Sequence, residues 1–137
     1  MAEEIWERFE AIEECYEFML AYAGQGLSGK ENSQSSSQAR DFLKRAVEAI
    51  TGLAEELAGT VKQENLQPAE RYSAFQSVLE KDARDSLATI QLVLAQPTIS
   101  SQLIDNLNAS THLRALLTDV FLVGEVLRTQ RIAAGTR

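Results

Sequence analysis

The sequence predicts an all-α protein: a four-helix-bundle-like single domain with an extra short helix. Three observations carry this. Apolar residues recur at steps of three and four through every long segment, the spacing of one helix face. Seven glycines and two prolines in 137 residues leave few of the turn signals that many short strands need. No stretch shows the strict apolar–polar alternation of a half-buried strand. The length fits one domain, residues 1–137, and can bury a core without disulfides or metal.

The first helix is expected over Ala2 to Ala23. Its apolar stripe is Ile5, Phe9, Ile12, Tyr16, Met19 and Ala23. Glycine and serine fill residues 24–37, which read as a flexible loop. Ser35-x-x-Gln38 resembles a capping box, so a second helix is expected to start at Ser35 to Ser37. Its stripe runs through Phe42, Leu43, Ala46, Ile50, Leu53 and Leu57, and Gly59 stands where a C-terminal cap belongs. Pro68 fits the first turn of a third helix. That helix shows Tyr72, Phe75, Leu79, Ala83, Leu87, Ile90 and Leu94 on one face, and Pro97 closes it. Ser100 can cap the short helix carrying Leu103, Ile104 and Leu107. Asn108 or Ser110 can cap the last helix, which runs to about Ala133, and residues 134–137 form a frayed tail.

Charge and composition exclude several function classes. The formal net charge is -7, which disfavours a nucleic-acid binder, because phosphate contacts need clustered Lys and Arg. The apolar stretch from Leu113 to Leu127 is interrupted by Arg114, Asp119 and Glu125. It is too short and too charged for a membrane span. Met1 leads into acidic residues rather than a basic and then apolar leader, so the expected location is cytoplasmic. Cys15 is the single cysteine, so there is no internal disulfide and no multi-cysteine zinc site. His112 is the single histidine and has no acidic residue three positions before it, as a di-iron Glu-x-x-His pair requires. No cofactor is expected.

The segment from Glu10 to Phe18, EAIEECYEF, holds four glutamates. At about 100° per residue, Glu3, Glu7, Glu10 and Glu14 project opposite the stripe, and Glu13 and Glu17 lie toward one flank. This is the pattern of a solvated face. Glu13-Glu14-x-x-Glu17 resembles the E-E-x-x-E half of the motif in MazG-like all-α nucleotide pyrophosphohydrolases. The resemblance spans about ten residues. It implies a magnesium-dependent hydrolase with Glu13, Glu14 and Glu17 as metal ligands. The family's second half is an E-x-x-D on the next helix. Asp41, Glu48, Glu55 and Glu56 all lack an Asp three residues later.

The preferred reading is a non-enzymatic protein that works through protein contacts, as an adaptor, assembly chaperone or regulator. In size, acidity and helical content the chain is similar to secretion and flagellar export chaperones. Trp6 and Phe18 fall off the stripe of the first helix and mark a contact surface, since Trp is enriched at interface hot spots. On the last helix, Leu113, Leu116, Leu117, Val120, Val123, Gly124 and Leu127 form the main stripe. Ala115, Leu122 and Val126 form a second patch nearly opposite. A second apolar patch on a peripheral helix points to a partner, and a twofold homodimer is the commonest form. A bundle that binds an apolar small molecule between its helices is the alternative.

Overall fold

The computed structural model describes residues 2–24 and 33–133, with six α-helices and no strand among them. They are α1 (Ala2–Gly24), α2 (Ser33–Ile50), α3 (Leu53–Gln63), α4 (Ala69–Leu94), α5 (Ser101–Ala109) and α6 (Thr111–Ala133). The all-α, bundle-like class holds. Of the expected loop at 24–37, Gly24 ends α1 and residues 33–37 begin α2. The remainder, and the tail at 134–137, lie outside the described residues.

Helix α1 packs against α2, α3, α5 and α6. It buries Ile5, Phe9, Ile12, Cys15, Met19 and Tyr22. Cys15 and Tyr22 take the places expected for Tyr16 and Ala23, which are half-buried. A 3.6-residue turn lets either neighbour complete such a stripe. Tyr22 favours the inner position because its hydroxyl finds a partner there, donating to the Ile99 carbonyl at 2.7 Å. A buried phenol needs such an acceptor.

The expected second helix is two helices. Gly52 adopts φ +82° and breaks the chain between α2 and α3. A left-handed residue just past a helix end is normally glycine, because a Cβ is strained there. The freed carbonyls at the end of α2 are not left to water. Arg8 of α1 donates Nη1 to the Ala49 carbonyl at 2.9 Å and to that of Thr51 at 2.7 Å. A cation at a helix C-terminus also meets the negative end of the dipole.

Gly59 is not a cap. It lies inside α3, and a Cβ there would meet nothing within 4 Å. The helix ends four residues later, at Gln63, in a Schellman motif. Asn65 takes φ 52°, its N–H bonds the Lys62 carbonyl at 3.2 Å, and Leu66 N–H bonds that of Val61 at 3.0 Å. A cis Gln67–Pro68 peptide then leads into α4.

Helix α4 buries Leu79, Ala83, Ser86, Ile90 and Val93. Tyr72, Phe75, Leu87 and Leu94, expected on the same face, are only partly buried. A second arginine serves the end of α4: Arg40 of α2 donates to the carbonyls of Leu94, at 2.8 Å, and Gln96. Ser100 Oγ accepts from Leu103 N–H at 3.1 Å and caps α5. Of the two residues expected to cap α6, Ser110 does so, accepting from Leu113 N–H at 3.2 Å. Asn108 is buried within α5.

The main stripe of α6 is as expected, with one addition. Leu113, Leu116, Leu117, Val120, Val123, Gly124 and Leu127 are buried, and so is Asp119. The helix runs antiparallel to α4. Ser86 bonds the His112 carbonyl at one end, and Tyr72 and Phe75 share a groove with Leu122 and Val126 at the other. No described helix is long and apolar enough to cross a membrane.

Candidate functional site

The second patch of α6 opens onto α4. Leu122 is 55% exposed, and Val126 and Ala115 are half-buried. Leu122 and Val126 line a groove of about 310 Å³ with Pro68, Arg71, Tyr72 and Phe75. Its apolar walls come from the first two turns of α4 and the middle of α6. Phe121 on α6 and Val78 on α4 are exposed as well. The face exists because α4 presents two aromatic residues where its packing against the core thins out, and α6 presents branched residues opposite them.

Trp6 and Phe18, expected to mark a contact surface on the first helix, lie apart from this face. Neither lines the groove. Trp6 is half-buried beneath α6. Its ring meets Phe9 edge-on at 5.4 Å, and the Arg128 and Arg131 guanidinium groups lie over it at 5.1 and 5.8 Å. A Cβ on Gly124 would come within 3.6 Å of Trp6 Cζ3. The close approach that this glycine allows is therefore to α1 of the same chain. Phe18 stacks on Phe42 at 4.2 Å and on Tyr22 at 5.5 Å. Both aromatics fasten α1 to its neighbours.

The α1 carboxylates do not converge. Glu10, Glu14 and Glu17 are exposed, and Glu13 is half-buried. Burial raises the Glu13 pKa, Arg128 opposes this, and Glu17 and Glu10 add to it. Among the described residues no three His, Cys, Asp or Glu side chains gather closely enough to hold a metal ion. Among the described residues, Glu13, Glu14 and Glu17 are not joined by the companion acids that the hydrolase resemblance implies. Cys15 is 3% exposed, and burial pushes its thiol up to about 12, against a smaller opposing effect of Arg45. It is a packing residue, and burial rather than the neighbouring glutamates holds it protonated. His112 is exposed, with Nδ1 3.9 Å from Asp85 Oδ2.

One group beside the α6 patch escaped the sequence reading. Asp119 is 7% exposed, and its Oδ2 has no hydrogen-bond partner. Its pKa is raised to about 7, first by burial and then by a hydrogen bond to, and the charge of, Asp82 on α4. The available signal was spacing: Asp119 stands three residues after Leu116 and four before Val123, within the inner stripe.

With this geometry in hand, the chain was compared with known proteins. No family model, no curated protein and no solved structure matches it.

Proposed function

We propose that this protein is a non-enzymatic helical protein of the cytoplasm that works through protein contacts, as an adaptor, assembly chaperone or regulator. On this reading it forms a twofold dimer through the α4–α6 face. The observation that supports it is Leu122, 55% exposed, at the mouth of a groove walled by Tyr72, Phe75 and Val126. Leaving that side chain 55% exposed forgoes about half of the ~1.5–3 kcal/mol that full burial of a leucine contributes. A second copy would recover it, and isologous contact places the same patch on both sides.

The test is Leu122→Glu combined with Val126→Lys, read by light scattering after size exclusion and by circular dichroism. The expected outcome is a folded monomer with unchanged helix content from a dimeric wild type. A wild type that is monomeric at all concentrations overturns the dimer. The groove also supports a second reading, an apolar small molecule held between α4 and α6, since ligand pockets begin at about 300 Å³. Native mass spectrometry distinguishes the two: a carried ligand adds a small mass to one chain, and a dimer doubles it.

A further inference from the structure

The groove between α4 and α6 adjoins a second hollow, of about 320 Å³, between α3 and α4. Gln67 and Tyr72 line both. Leu57, Val61 and Leu66 supply the apolar lining of the second hollow. It opens where α3 stops at the Asn65 turn and the chain re-enters α4 at Pro68.

The charge of this surface is opposite to that of the chain. The net charge is -7. Yet among the described residues the only charged side chains lining either hollow are cations, Lys62 and Arg71. Both are exposed, and neither has an ion-pair partner among the described residues. The nearby Glu64 is held by Arg131 at 3.6 Å. Glu70 is exposed and lines neither hollow. An acidic occupant is attracted here, whereas elsewhere on the chain acids outnumber cations and repel it.

The polar lining points to the form of that occupant. Asn65 and Gln67 bond each other at 3.1 Å. Gln76 in one hollow and Gln130 in the other make no side-chain hydrogen bond among the described residues. A side-chain amide both donates and accepts, as the peptide backbone does. A hydrocarbon ligand offers these groups nothing. A helix has already bonded its backbone internally. An extended segment keeps its N–H and C=O groups free for such partners.

We propose that the two hollows form one docking groove for an extended, acidic segment of a partner protein. Apolar side chains of the segment enter both hollows beside Tyr72, and its carboxylates meet Lys62 and Arg71. This rests on the reading that the chain works through protein contacts, but not on the dimer. The α3–α4 hollow lies outside the α4–α6 face, which keeps the two claims separable.

The experiment is selection of random displayed peptides on the full chain, followed by fluorescence titration of a selected peptide. Selected peptides are expected to combine apolar residues with Asp or Glu. Lys62→Glu with Arg71→Glu should weaken the titrated peptide at least about tenfold, since like charges then face each other. Its circular dichroism should be unchanged, because both side chains are exposed. Lys44→Glu with Arg114→Glu makes the same change in net charge at exposed positions outside both hollows. At physiological salt it should leave the affinity within about twofold, because distant charges are screened. Selection that yields no acidic peptide overturns the proposal, and so does equal weakening by both double variants. A small mass carried by the chain in native mass spectrometry that blocks the peptide assigns the groove to a small molecule and also overturns it. If the Lys62 and Arg71 variant instead turns a dimer into a monomer in light scattering, a second copy is the occupant and the proposal fails. A wild type that is monomeric at all concentrations but binds the selected peptide as expected sinks the dimer alone.

Discussion

The contacts around α1 and the seam between α4 and α6 differ in how their polar groups are used. Around α1, long-range hydrogen bonds tie one helix to the end of another, although Arg8 Nε itself has no hydrogen-bond partner. Arg8 serves the end of α2, and the Tyr22 hydroxyl serves the Ile99 carbonyl. Arg40, on the neighbouring α2, serves the end of α4 in the same manner. At the seam, Asp119 keeps an oxygen without a donor, and Leu122 faces solvent. The first region is tied together by side chains reaching between helices, and the second leaves a buried acid oxygen and an apolar side chain without such contacts. Stability is concentrated in the first and adjustability in the second.

The largest expected contrast comes from truncating one leucine in each region. Leu43, 1% exposed, should cost about 3 kcal/mol as Leu43→Ala, because a cavity remains. Leu122→Ala should cost under about 0.5 kcal/mol in the monomer. Chemical denaturation measures both. Equal losses would erase the distinction between the regions.

Next is Arg8→Ala, which strips the carbonyls of Ala49 and Thr51 of their donor. Loss of charge-assisted bonds should cost about 2 kcal/mol. Arg8→Lys should restore only part, since a point charge cannot reproduce the planar fork. Full rescue by lysine would reduce the contact to simple electrostatics.

Two glycines give a smaller and opposite pair of effects. Gly52→Ala has space, with Arg8 Nη2 the nearest atom at 3.7 Å, but its positive φ should cost about 1 kcal/mol. Gly59→Ala fills an open helical position and should gain up to about 1 kcal/mol. Matching signs would mean that α2 and α3 are one helix in solution.

The smallest effect belongs to the exposed acids of α1. Glu10, Glu14 and Glu17 changed together to Gln should move Tm by less than about 2 °C, upward if at all, because repulsion falls. A marked loss would assign these side chains a structural or metal-holding role.

The sequence made α1, α4, α5 and α6 legible because each has an unbroken stripe and a recognisable end, such as Ser100 or Ser110. It hid the break at Gly52 for a definite reason. Ile50, Leu53 and Leu57 keep helical spacing across it, so periodicity alone runs straight through. The Asn65 stop was masked by Gly59, which looks like a cap and is not one. At the candidate site, the α6 half was visible as a second stripe. The α4 half was not, because Tyr72 and Phe75 fit the core stripe equally well, and only the pairing of α4 with α6 exposes them. Trp6 and Phe18 were off-stripe for packing reasons that depend on Arg128 and Phe42, residues distant in sequence.

The reach of Arg8 also has a consequence for the order of events as the chain folds. Its bonds to Ala49 and Thr51 close a loop of about forty residues, and the entropy of that closure must be met before they form. Until then the C-terminal turn of α2 has no donor for its last carbonyls and frays. The amides from Thr51 to Glu56 should therefore become protected from solvent exchange together with those of α1, later than the middle of α2. Arrival of α1 at the α2–α3 corner would then be a single observable step.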